Sequence, residues 1–211
     1  GIRGHQCDIA GYLASEVLEQ QPAEVAQFLL QTSILERMSA SLCRAVTGTE
    51  DAGRLLHRVA SDGLFVSALD DEGTWFRYHH LFAEFLQGEL LDRSEAETAS
   101  LHRRAAIWFE KHGRLEEAVR HWLAAGEDAR AGRIVCRAFM EYTRSARHET
   151  IRRWLDLFTE EQILADRALT LTAGWIAASK ASDSPAAGSG SRPRPASTWT
   201  TRCGRAGPCR C

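Results

Sequence analysis

The sequence lacks any apolar run long enough to cross a bilayer. Its longest, Ala168 to Ser179, falls far short of the roughly 20 residues a spanning helix needs, so no membrane partner is expected. It shows no signal peptide, because Gly1-Ile2-Arg3-Gly4-His5 is followed by no hydrophobic run before Asp8. No initiator Met opens the chain, which reads as an internal stretch of a longer protein. The cysteines lack the paired C-x-x-C spacing of structural zinc sites. Cys7, Cys43 and Cys136 are scattered singly, as suits reduced thiols in a cytoplasmic protein.

The motifs of catalysis are also missing. There is no Gly-x-Ser-x-Gly elbow, no Gly-x-x-x-x-Gly-Lys-Ser/Thr phosphate loop and no His-Glu-x-x-His. Adjacent His79 and His80 are expected to point apart and not to share a metal. No catalytic residue and no metal site is assigned, and the chain is not expected to be an enzyme.

What is present is an ordinary soluble composition over 211 residues, with 44 % apolar and 26 % charged side chains. That accommodates one medium domain or two small ones. The formal charge is −2. Residues 180–211 hold six basic groups against Asp183, a net of +5, which leaves −7 for residues 1–179. So acidic a body lacks the basic face of a nucleic-acid binder.

The hydrophobic pattern predicts a mainly α chain. Tyr12 to Gln20 reads as a helix with Leu13, Val17 and Leu18 on one side. Pro22 suits the first turn of the next, in which Val25, Phe28, Leu29 and Thr32 recur at helical spacing up to about Ser33. Ser39 can cap a helix over Ala40 to Val46 closed by Gly48, and Asp51 a helix with Leu55, Leu56 and Val59 inward that Gly63 ends. The period then changes. Residues 64–69 and 74–79 read as two strands joined by Asp70-Asp71-Glu72-Gly73, a β-hairpin. A helix with Leu81, Phe82, Phe85 and Leu86 buried follows to about Leu91. Three helices, a hairpin and a helix make a winged-helix-like domain over residues 22–92, preceded by a linker helix within residues 1–21.

That domain makes a poor DNA reader. Between Pro22 and Leu91 stand five arginines (37, 44, 54, 58, 77), no lysine and ten acids, a net of −5. The tip of the wing is acidic, and phosphate contacts supply most non-specific DNA affinity. Arg54, His57 and Arg58 on the third helix are what any solvated face carries.

From Ala99 the chain is helical again. Ala106, Phe109, Gly113, Ala118, Trp122 and Ala125 follow the small and large alternation of a tetratricopeptide hairpin. Phe109 and Trp122 are its groove residues, for packing or for binding a partner. Further helices are expected at Asp128–Arg144, His148–Phe158 and Glu160–Ala178, the last opened by a Thr159…Gln162 capping box. The repeat segment, residues 97–179, holds too few hairpins for a stable array and reads as truncated.

From Lys180 the composition collapses into Ser, Ala, Gly, Pro and Arg, with Trp199 its one large apolar residue, and disorder is expected over residues 180–211. Cys203, Cys209 and Cys211 lack a fourth ligand for zinc. A shifted reading frame in GC-rich coding DNA would produce such a switch, and restoring the frame after about Ala178 should recover helical periodicity.

The remaining feature is His79-His80 at the hairpin-to-helix junction. In the bland reading one ring packs under the wing while the other is solvated. In the functional reading an imidazole beside a helix N-terminus makes a phosphate site.

Tyr12-Leu13-Ala14-Ser15-Glu16-Val17-Leu18, Phe28-Leu29-Leu30-Gln31-Thr32-Ser33-Ile34-Leu35 and Arg77-Tyr78-His79-His80-Leu81-Phe82-Ala83-Glu84-Phe85-Leu86 resemble the middle of MalT-like, ATP-binding transcriptional regulators of the LuxR family, a group of signal-transduction ATPases with numerous domains. Residues 101–109 and 117–126 extend the likeness into the family's helical-repeat sensor, so that it spans about residues 8–178. The resemblance implies a phosphate-loop nucleotide domain upstream, sensor repeats for an inducer downstream and a terminal helix-turn-helix that binds DNA. Both the phosphate loop and the helix-turn-helix are absent from this sequence. In related switch proteins a Met-His-Asp segment sets its histidine against the ADP β-phosphate. Tyr78-His79-His80 lies where that segment would fall. His79 thus inherits the phosphate-sensing role by resemblance, while His80 stands in place of the acid. The chain is expected to be a cytoplasmic regulator fragment that couples nucleotide state to inducer binding. It should hold no ATP or ADP itself, these belonging to the intact regulator. The alternatives are a stand-alone helical-repeat interaction module and a DNA-binding winged helix with a basic tail.

Overall fold

A computed structural model describes residues 15–144 and 148–183. The N-terminal part of the linker helix with Cys7, and the tail from residue 184 with its three cysteines and Trp199, lie outside the described residues. Residues 15–19 are helical. After them run α1 (Ala23–Thr32), α2 (Ala40–Thr47), α3 (Ala52–Ser61), β1 (Val66–Ala68), β2 (Phe76–Tyr78), α4 (His80–Arg93), α5 (Glu95–Lys111), α6 (Leu115–Ala124), α7 (Asp128–Arg144), α8 (His148–Leu155), α9 (Glu160–Ala165) and α10 (Arg167–Asp183). The chain is mainly α with one antiparallel hairpin, and no helix among the described residues is long and apolar enough to cross a membrane.

The local signals explain the helix ends. The Ser39 hydroxyl accepts from the Leu42 N–H, and Gly48 closes α2 at φ +77°, a conformation that spares glycine the Cβ clash. Pro22 stands one place before α1, at its N-cap, and its carbonyl accepts from the Ala26 N–H at 2.9 Å. Asp51 occupies the N-cap of α3 without capping it, because its carboxylate takes Arg54 at 3.1 Å instead.

The strands are shorter than the apolar runs. They pair Val66 with Tyr78, Ser67 with Arg77 and Ala68 with Phe76. Phe65 is kept out of the ladder by a left-handed backbone, φ +54°. At the other end the Asp70 carboxylate accepts from the N–H groups of Thr74 (2.7 Å) and Trp75, which makes them part of the turn. Met38 exchanges two backbone hydrogen bonds with Phe76, adding a one-residue bridge that ties the α1–α2 loop to the hairpin. In α4 the inward positions are Phe82, Leu86 and Leu90; Phe85 is half-buried and Leu81 points outward.

Ser94, whose hydroxyl accepts from the Glu97 N–H at 3.1 Å, is the single residue between α4 and α5. The α5–α6 hairpin turns at Gly113 and buries Ala106, Phe109, Ala118 and Trp122 between its helices. Thr159 and Gln162 form the expected reciprocal capping box. The helix it opens ends at Ala165, and Asp166, in an extended conformation, starts α10 by accepting from the Ala168 and Leu169 N–H groups. The single helix expected over Glu160–Ala178 is therefore two, and the second runs on to Asp183, so residues 180–183 are helical where the composition predicts disorder. At Gly132 a Cβ would lie 3.0 Å from Leu169 Cδ1, so the missing side chain lets α7 and α10 meet.

One connected apolar core runs from Leu18 to Ile176. The winged-helix part and the first helical hairpin share it, and polar contacts cross the same boundary. Arg104 Nη1 donates to the Val46 carbonyl at 2.6 Å, Gln31 Nε2 to Glu97 at 3.1 Å, and Arg120 Nη1 to Glu36 at 3.0 Å.

Candidate functional site

The hairpin-to-helix junction is built on Tyr78. Its ring is buried, its hydroxyl lies 2.7 Å from Thr32 Oγ1, and burial pushes its ionisation well above the ordinary phenol range. Thr32 in turn donates to the Phe28 carbonyl at 2.7 Å. The residue before His79 is thus fixed to α1. The His79 N–H donates to the Phe65 carbonyl at 2.7 Å, so the left-handed backbone of Phe65 aims the acceptor that holds His79. The Phe65 ring packs 5.1 Å from that of Phe82.

His79 stands at the N-cap of α4 in an extended conformation, and its carbonyl accepts from the Phe82 and Ala83 N–H groups, both at 3.0 Å. No side chain caps this helix. The positive end of α4 is therefore left to water or to a ligand, with an imidazole beside it, an arrangement that favours an anion. His79 and His80 are both exposed, so neither ring packs under the wing. The expectation that they diverge is also corrected: their ring centroids are 4.5 Å apart, because the backbone passes from extended at His79 to helical at His80. No group of three or more His, Cys, Asp or Glu among the described residues could hold a metal ion.

Phe109 and Trp122 are both buried. Trp122 is 1 % exposed, with the Arg130 guanidinium 4.7 Å over its ring and its Nε1 without a partner. Phe109 stacks on His121 at 5.2 Å. His121 was not signalled by any motif, nor was His102, yet their Nδ1 atoms lie 2.8 Å apart across the hairpin. Burial pushes the His121 imidazole down to about 3 and lowers that of His102, so both are neutral near pH 7. One ring must then donate its Nδ1 proton to the other.

The basic side chains of α3 are occupied. Arg54 pairs with Asp51 and Glu24, Arg58 with Asp62, and His57 packs edge-on against Phe76. Cys43 is buried, which pushes its thiol up to about 12 and leaves no thiolate for nucleophilic chemistry.

Residues 14–99 match the family model described as the MalT winged helix domain. The chain is 38 % identical over 135 residues to the serine/threonine-protein kinase PknK of Mycobacterium tuberculosis, a match that covers 64 % of this chain and 12 % of the kinase. It is 39 % identical over 119 residues to the HTH-type transcriptional regulator MalT of Klebsiella pneumoniae, covering 56 % of this chain and 13 % of the regulator. With the regulator MalT of Cronobacter sakazakii it shares 31 % identity over 168 residues, 80 % of this chain and 19 % of the relative. The chain thus spans less than a fifth of the length of these relatives.

Proposed function

We propose that this chain, whose residues 14–99 are a MalT-type winged helix domain, is the coupling segment of a MalT-like, ATP-dependent transcriptional regulator of the LuxR family. The winged helix (residues 22–92) meets an upstream nucleotide domain, where His79 senses the ADP phosphate. The helices after it (residues 97–179) are tetratricopeptide-like and begin the sensor for an inducer or partner protein. DNA is contacted only by a helix-turn-helix elsewhere in the intact protein, in the cytoplasm. The segment itself is not an enzyme and holds no cofactor.

The observation that carries this reading is the absence of any hinge between the winged helix and the first helical hairpin. A single residue separates α4 from α5, and one core and three polar contacts bridge the units. A closely packed body transmits a displacement at one end to the other. Coupling between sites of this kind is typically about 1–3 kcal/mol. Two further facts lend support. More than half of this chain is matched both by a relative named as a regulator and by one named as a kinase, which fits a part that passes on a state and does not itself read DNA or transfer phosphate. The paired arginines of α3 also leave little free positive charge for a duplex.

In the intact regulator His79→Ala is expected to raise basal transcription from a target promoter several-fold without inducer. Basal transcription equal to wild type at equal protein level overturns the role of His79.

A further inference from the structure

A cleft of about 400 Å³ lies between the α1–α2 loop, Trp75 ahead of β2, and the α5–α6 hairpin. It plays no part in the phosphate reading of His79 and does not depend on it. Ile34, Trp75, Phe109 and Ala124 give it apolar walls. Three carboxylates line it, and each is already paired: Glu36 and Glu116 with Arg120 at 3.0 and 2.9 Å, Glu116 also with Arg153 at 3.7 Å, and Glu117 with Arg114 at 2.7 Å. Arg114 is further held 5.4 Å over the Trp75 ring. Arg37 differs. It lines the same cleft from the α1–α2 loop, and no carboxylate among the described residues lies within ion-pair distance of it. The His102–His121 pair completes the wall as a polar but uncharged element.

We propose that this cleft binds a small organic anion with a flat apolar body, an aromatic carboxylate in size and charge, with its carboxylate on Arg37 and its ring against Trp75, Phe109 and Ile34. The volume is that of a small-ligand pocket. A guanidinium presents a planar fork that matches a carboxylate with two parallel hydrogen bonds. A cationic ligand would meet Arg37 uncompensated, because the acids of the cleft are already engaged. A ligand without charge would gain nothing from Arg37, which is exposed to water. The walls come from both units: Ile34, Arg37 and Trp75 from the winged helix, His102, Phe109 and Ala124 from the hairpin. An occupant therefore binds only their joined form and stabilises it by mass action.

The test is calorimetric titration of the full chain with indole-3-acetate, with tryptamine as the same ring carrying a cation. Saturable binding of the acid at micromolar to millimolar concentration is expected, with tryptamine at least about tenfold weaker. Arg37→Ala should weaken the acid about tenfold or more while leaving the melting temperature unchanged, since the side chain is exposed. Arg37→Glu should reverse the order, so that tryptamine binds better than the acid. The proposal is overturned if the acid does not bind saturably at millimolar concentration. Equal binding of acid and amine, or an Arg37→Ala variant that binds the acid like wild type, overturns it as well.

Discussion

The molecule carries two histidine pairs that are opposites in nearly every physical respect. His79 and His80 are neighbours in sequence, exposed, with rings 4.5 Å apart and no capping hydrogen bond. His102 and His121 come from different helices, are enclosed by the hairpin, and share a 2.8 Å contact between Nδ1 atoms. The exposed pair adds little to stability and sits where an anion can be received. The enclosed pair is held neutral by burial and belongs to the packing of the hairpin and the wall of its cleft. Exposure, not residue type or adjacency, decides which histidines are available to a ligand and which are fixed in the fold.

The sharpest way to break this comparison is truncation. His121→Ala removes a ring stacked on Phe109 and leaves His102 Nδ1 without its partner; a loss of about 2–4 kcal/mol is expected in urea unfolding. His79→Ala should stay within about 0.5 kcal/mol of wild type in the same measurement. Equal losses would erase the distinction.

Acid should act on the enclosed pair next. His121 has a folded pKa of about 3 against about 6.5 unfolded, so between these values the unfolded chain binds the extra proton. Its stabilising contribution is whole above about pH 6.5 and falls as the pH drops towards 3, by up to about 1.4 kcal/mol per pH unit. His102 shifts in the same direction. Unfolding free energies at pH 7, 6 and 5 should therefore decline less steeply in His121→Gln than in wild type, and an equal decline in the two would contradict the burial of a neutral His121.

Smaller effects sharpen the picture from the side of the exposed pair. Tyr78→Phe removes the hydroxyl that meets Thr32 and should cost about 1 kcal/mol in urea unfolding, showing that the exposed histidines stand on a buried support. Arg120→Ala breaks exposed pairs with Glu36 and Glu116 and should cost less than about 1 kcal/mol.

Much of the fold could be read from the chain because its signals are local. Ser39 with Gly48, the Thr159…Gln162 box and the span Asp128–Arg144 each depend on a few neighbouring residues, and the structure holds them as read. The misreadings arise where a distant or competing contact decides. Asp51 has the chemistry of a cap, but Arg54 takes its carboxylate. Asp166 splits a helix because Ala168 and Leu169 find its side chain, a cap signal hidden inside an apolar run. Leu81 has the hydrophobicity of a core residue but lies on the outer face of α4, 42 % exposed. His79 and His80 stand out in the sequence by adjacency and by their place between the hairpin and the helix, while the exposure of both rings and the left-handed Phe65 that holds His79 needed the fold. His102 and His121 could not be paired from the chain, since nothing local says which faces of α5 and α6 meet. The cleft beside them has the same origin, because its walls come from three separate stretches of sequence.

The most direct measurement is the dissociation rate of ADP from the intact regulator, for wild type, His79→Ala and His80→Ala. An imidazole at position 79 on the nucleotide phosphate predicts release about tenfold faster or more in His79→Ala, the loss of one charge-assisted contact, and little change in His80→Ala. ADP release at the wild-type rate in His79→Ala would contradict the coupling of this winged helix to nucleotide state.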